Sequence, residues 1–152
     1  MRVLLVEDDM VIAGGLAPAI SEAGFHLLGL AADQETAVAL LRSTDVHIAV
    51  VDLRLADGWT GADVARAAVE EGVAVVFVTA TPDRVPKDLG AAYGVIEKPC
   101  APEAVAAALR FVAMRLRGVA AGEAPAGLTL SPDWTSARPW TARRPAASRA
   151  RV

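Results

Sequence analysis

Cysteine is nearly absent from this sequence: Cys100 stands alone among 152 residues. One thiol excludes an intrachain disulfide and any metal centre built from several thiolates, and packing is the expected role for it. Long apolar runs are missing as well, so no stretch would cross a bilayer as a helix. The chain begins Met1-Arg2-Val3-Leu4-Leu5-Val6-Glu7-Asp8-Asp9. Three acids arrive before the apolar centre of a secretory signal could form, and a cytoplasmic location is expected. Histidine is scarce too. His26 and His47 each open an apolar run with no second ligand nearby, so structural roles are expected rather than phosphate carriage or metal binding. The formal net charge of -3 says little about partners, but its distribution is uneven. Residues 1–117 hold 16 acids and 10 bases, whereas residues 118–152 hold 2 acids and 5 arginines.

What is present is apolar: 54% of the residues, much of it Ala and Val, against 22% charged. That is enough to bury a core in one ordinary domain with a short appendage. Short apolar runs at Val3–Val6, His26–Ala31, His47–Val51, Val73–Thr79 and Val95–Ile96 alternate with helical periodicity at Met10–Ala23, Asp33–Arg42, Thr60–Glu71, Asp83–Ala92 and Ala101–Arg117. Strands apolar on both faces and separated by helices predict an α/β three-layer sandwich around a parallel sheet. Gly24, Gly72 and Gly94 read as helix-ending glycines, Asp33 and Asp83 as N-caps, and Pro102 as a first-turn proline. Gly14, Gly15 and Pro18 predict a kinked or split first helix, and Pro82 and Pro86 a short fourth helix that starts late.

In such a sheet the ligand site lies beyond the carboxyl ends of the strands. Glu7 and Asp8 end the first run, Asp52 the third and Thr79 the fourth, with Lys98 just past the fifth. Three carboxylates on one edge repel one another unless a cation sits among them, and a hard divalent ion with oxygen ligands answers that need. A cation-loaded carboxylate beside a lysine and a hydroxyl suits phosphoryl transfer, whose transition state needs charge neutralisation and in-line positioning.

Four segments, Val3-Leu4-Leu5-Val6-Glu7-Asp8-Asp9, Val50-Val51-Asp52-Leu53-Arg54-Leu55, Phe77-Val78-Thr79-Ala80 and Glu97-Lys98-Pro99, together resemble the ordered signatures of bacterial two-component response-regulator receivers. The resemblance spans residues 1–117. It implies a flavodoxin-like (βα)5 sandwich of the chemotaxis-regulator kind, with a five-stranded parallel sheet of order 2-1-3-4-5. It also implies Asp52 as phosphoacceptor and Mg²⁺ (or Mn²⁺) held by Asp8, by Glu7 through water, by Asp52 and by the Arg54 backbone carbonyl. Lys98 would pair with a phosphoryl oxygen and Thr79 bond another, and the Lys98-Pro99 bond would be cis. The implied function is a single-domain switch in a phosphorelay, not an enzyme with a metabolic substrate. It would be charged by a sensor histidine kinase or a His phosphotransferase and read by a downstream protein. A phosphorylation-dependent homodimer is among the outcomes such a switch allows.

Several positions depart from the family pattern. Val95 stands where many receivers carry an aromatic that moves with the threonine, and Tyr93 is offset by two positions. Ala56 and Cys100 replace a common proline and a common aromatic. Asp9 reads as an N-cap, Arg54 and Thr81 flank the expected phosphate path, and Trp59 is either a partner contact or a lid.

From Gly118 a Gly/Ala/Pro linker leads to a near-repeat, Trp134–Pro139 and Trp140–Pro145, read as a tail without a fold of its own. No DNA-binding domain fits there, so DNA binding is not expected. A phosphate sink or a phosphorylation-independent scaffold are the alternative signalling roles. A phosphatase of the haloacid-dehalogenase kind would need a second Asp two residues after Asp52, where Arg54 stands.

Overall fold

The structure, a computed structural model, describes residues 1–135. Its strands are β1 (Arg2–Val6), β2 (His26–Ala31), β3 (Ile48–Val51), β4 (Ala74–Thr79), β5 (Tyr93–Glu97) and β6 (Leu128–Leu130). The helices are α1 (Met10–Glu22), α2 (Gln34–Ser43), α3 (Gly61–Glu70) and α4 (Pro102–Leu116). The strands form one sheet of order β2-β1-β3-β4-β5-β6, and the first five are parallel. The α/β flavodoxin-like architecture is therefore the observed one.

Alternation along the strands divides the core. Val3 and Leu5 face α1 and α4 in one apolar cluster, with Leu16, Ile20, Leu109 and Val112. Leu4 and Val6 face α2 and α3 in the other, with Leu41, Val64 and Ala68. Every residue of β3 and β4 is buried, because helices cover both faces there. Asp9 caps α1, accepting from the Val11 and Ile12 N–H groups at 2.8 and 3.2 Å, and Asp33 caps α2 through the Thr36 N–H at 2.8 Å. Pro102 occupies the first turn of α4.

Five expectations are corrected. The sheet has a sixth strand, β6, antiparallel to β5 and supplied by residues expected to lie in an irregular tail. Beyond it, Trp134 is buried in the same cluster as Leu109 and Phe111. The fold thus extends past residue 117, because Leu128, Leu130 and Trp134 bring apolar surface the sandwich can bury. No fourth α-helix forms between β4 and β5: two short 3₁₀ segments, Pro82–Arg84 and Lys87–Ala92, stand there instead. Pro86 lacks the N–H a continuous helix would need, and Gly90 takes φ 63°, outside the helical region. Asp83 is accordingly not an N-cap but lies inside the first of these turns. Gly94 does not end a helix; it pairs within β5, where an added Cβ would lie 2.9 Å from Leu128 Cδ1. Of the two outcomes expected for the first helix, kinked or split, the split does not occur: α1 runs continuously through Pro18. Residues 136–152, including most of the Trp/Arg/Pro near-repeat, lie outside the described residues.

His47 is a structural acceptor, as expected: its Nδ1 takes the Arg2 backbone N–H at 3.0 Å. Burial, with the Arg2 charge adding to it, lowers its pKa below the ordinary 6.5. The unfolded chain therefore takes up a proton here first as pH falls, so this contribution is present above 6.5 and is lost on acidification towards the lower folded value. His47→Asn keeps an acceptor without titrating. Urea denaturation should show the wild type losing stability relative to this variant between about pH 7.5 and 5, a window set by the imidazole. A difference constant across that range would contradict it.

Candidate functional site

The carboxyl ends of β1, β3, β4 and β5 converge on one edge, and parallel pairing sets their relative heights. Val6 pairs with Val51, and Thr79 with Glu97. The residues that follow, Glu7 and Asp8, Asp52, and Lys98, are thereby brought together across chain separations that no local motif would reveal.

Lys98 is the hub. Its Nζ donates to Glu7 Oε2 at 2.8 Å and to Asp52 Oδ2 at 2.9 Å. Glu7 is buried, and its other oxygen accepts the Asp9 backbone N–H at 3.0 Å. Burial raises the Glu7 pKa above its ordinary value, and the lysine contact does not offset it. Lys98 also loses hydration, which lowers its pKa, but the bonds it donates to Glu7 and Asp52 outweigh this and hold it above the ordinary lysine value. One ammonium is thus shared between two carboxylates, and burial still holds the Glu7 pKa up.

Carboxylate oxygens of Glu7, Asp8 and Asp52 lie within 4.8 Å of one another. Hard oxygen donors from a buried, a partly buried and an exposed residue suit a hydrated Mg²⁺ or Mn²⁺, which keeps several waters. The cluster is therefore a fit for the ion the charge argument calls for.

Thr79 is buried at the end of β4, and its Oγ1 accepts the Thr81 N–H at 3.1 Å and lies 3.2 Å from Thr81 Oγ1. Its hydroxyl is thus engaged within its own loop rather than with Asp52. The Lys98–Pro99 bond is cis. Tyr93 lies buried, edge-on to Phe77 with centroids 6.0 Å apart. Arg54 and Trp59 occupy the loop after β3, where the Arg54 guanidinium lies 5.9 Å from the Trp59 ring centroid. Cys100 is half-buried with its thiol pKa raised by burial, as befits packing.

Two features were not found from sequence. Gly61 opens α3 against the backbone of Asp52, donating its N–H to Leu53 O at 3.0 Å. Met10 and Val11 are 68% and 85% exposed on the first turn of α1, and Val11 lines an apolar cleft with Leu16, Pro99 and Pro102. Apolar residues at helical spacing read as core, and only the structure shows these two facing outwards.

Residues 3–110 match the response regulator receiver domain family. A protein-glutamate methylesterase/protein-glutamine glutaminase of Anaeromyxobacter dehalogenans is 29% identical over 77% of this chain, which spans 36% of that protein's length. A solved PhyR stress response regulator is 32% identical with a TM-score of 0.59, over 71% of this chain and 43% of that one. The Erythrobacter litoralis PhyR receiver domain is 27% identical with a TM-score of 0.61, over 69% and 83%. A CheY-like receiver from Methanospirillum hungatei shares the fold at 22% identity and a TM-score of 0.63, over 76% and 93%. Among the described residues no helix is long and apolar enough to cross a membrane. Motif order, sheet topology and family match converge, and the chain belongs to the response regulator receiver domain family.

Proposed function

We propose that this chain is a cytoplasmic, phosphorylation-dependent switch whose Asp52 takes a phosphoryl group from a phosphohistidine of a sensor kinase or His phosphotransferase. Family membership supports a role in phosphorelay signalling. The observation that carries the finer reading is Asp52 at the end of β3, 2.9 Å from Lys98 Nζ within the three-carboxylate cluster.

In this reading an Asp52 oxygen attacks phosphorus in line, and the bond from phosphorus to the donor imidazole breaks. Negative charge then moves from the carboxylate to the phosphoryl oxygens. Lys98, already held over Asp52, pairs with one of them. Thr79 leaves Thr81 and bonds another, which shifts the turn after β4. Glu7, Asp8, Asp52 and the Arg54 backbone carbonyl would hold Mg²⁺ or Mn²⁺. When bound, that ion neutralises charge on the transferring group. Exposed Met10 and Val11 give the donor protein an apolar footing beside the site. The output is a changed contact with a downstream protein.

The test is intact mass spectrometry after incubation with phosphoramidate and Mg²⁺. One labile phosphoryl increment is expected in the wild type and none in Asp52→Asn. An increment that persists in the variant removes Asp52 from the role.

A further inference from the structure

Trp59 is an exposed aromatic on a loop that is anything but loose. Leu55 and Gly58 exchange backbone hydrogen bonds at 2.7 and 3.0 Å. Asp57 accepts from the Gln34 N–H at 3.0 Å and from Thr60 Oγ1 at 2.5 Å. On this frame the indole is 47% exposed and carries two arginines, Arg84 with Cζ 4.2 Å from the ring centroid and Arg54 at 5.9 Å.

Those arginines come from different loops. Arg54 lies two residues past Asp52. Arg84 lies in the 3₁₀ turn that follows Thr79 and Thr81, and from there its guanidinium reaches the Trp59 ring. Among the described residues neither has a carboxylate within ion-pairing distance. Two cations held on one ring without an anion, on the adjoining loops that leave the candidate acceptor and the candidate switch hydroxyl, form an unfinished electrostatic site.

We propose that Trp59 is a positioning residue that clasps Arg84 and Arg54 across the mouth of the phosphoryl site, where they meet the phosphoryl group's negative charge and keep water from it. The inference rests on the reading of Asp52 as phosphoacceptor. Loss of the group is hydrolysis: water oxygen bonds phosphorus and the bond to Asp52 breaks. The electron pair returns to the carboxylate, and a water proton passes to the departing phosphate. Guanidiniums pinned over the mouth narrow that in-line approach, and released ones do not.

The experiment follows decay of the phosphoryl increment in the full chain after phosphoramidate is removed, with Mg²⁺ present. Trp59→Leu and Arg84→Gln are expected to shorten its half-life about fivefold, the factor equivalent to ~1 kcal/mol of cation–π interaction. Trp59→Phe, which keeps a π face, stays near the wild type, and the double variant Trp59→Leu/Arg84→Gln decays no faster than either single one. Equal half-lives throughout, slower decay in Trp59→Leu, or a Trp59→Phe as fast as Trp59→Leu each overturn the clasp. A wild type that gains no increment overturns the Asp52 reading instead. The clasp is then judged on the unphosphorylated protein with Trp134→Phe and Trp140→Phe, leaving Trp59 as its one indole of the three. There Arg84→Gln should change Trp59 emission, and unchanged emission overturns the clasp.

Discussion

Gly61→Ala is expected to destabilise the protein by about 3 kcal/mol, at the upper end of ordinary overpacking. Helix propensity alone argues the other way, since alanine is favoured over glycine inside a helix by about 1 kcal/mol. Geometry decides. A Cβ on Gly61 would stand 2.0 Å from the Asp52 carbonyl oxygen and 2.6 Å from Leu53 Cα, both backbone atoms that no rotamer change can move. α3 must withdraw, and the Gly61 N–H to Leu53 O bond goes with it. Because the displaced backbone belongs to Asp52, phosphorylation by phosphoramidate should slow even well below the melting temperature. Urea denaturation and the rate of the mass increment check the two halves separately. Stability within 0.5 kcal/mol of the wild type, the ordinary scatter of surface substitutions, would show that the helix shifts freely.

Trp134→Ala should cost about 3–5 kcal/mol, the range for removing a large aromatic from a core. Trp134 is 6% exposed, its carbonyl accepts from Arg115 Nη2 at 2.5 Å, and its N–H reaches Ser131 O at 2.9 Å. The segment before it is held as firmly. Ser131 donates its N–H to Tyr93 O at 3.1 Å and its Oγ to Gly90 O at 2.7 Å. A chain ending at Gly127 should be destabilised to a similar degree, yet below its melting point it should still gain the phosphoryl increment, because no site residue lies beyond Lys98. Loss of less than 1 kcal/mol, below the usual range for a core truncation, would return the segment to the status of an appendage.

These two residues also mark where the sequence was legible and where it was not. The first four parallel strands could be read as short, mainly apolar runs between helical stretches, whereas of β5 only Val95–Ile96 could be read as strand. The cluster followed, because strand ends of a parallel sheet share an edge, so Glu7, Asp8, Asp52 and Lys98 needed no coordinates to be grouped. β6 escaped because Leu128-Thr129-Leu130 is three residues long inside a Gly/Ala/Pro stretch, and a strand that short declares itself only through its partner. Gly94 was misread for the same reason: its lack of a side chain serves Leu128, a neighbour 34 positions away in the chain. The segment after β4 was half legible. Its prolines announced a shortened helix, but the replacement by 3₁₀ turns that bring Arg84 onto Trp59 is a tertiary outcome.

The sixth strand has a further consequence, for solubility. A sheet edge offers unpaired N–H and C=O groups to any extended chain that drifts past, which is how strands seed assemblies. Here residues 128–130 occupy the outer side of β5, so among the described residues the rims of the sheet are the three-residue β6, too short to template much pairing, and β2. Its register is already interrupted opposite Val3 and Leu4, an irregularity that makes a poor template. The protein shields by its own backbone the rim where a neighbour would otherwise begin to stack.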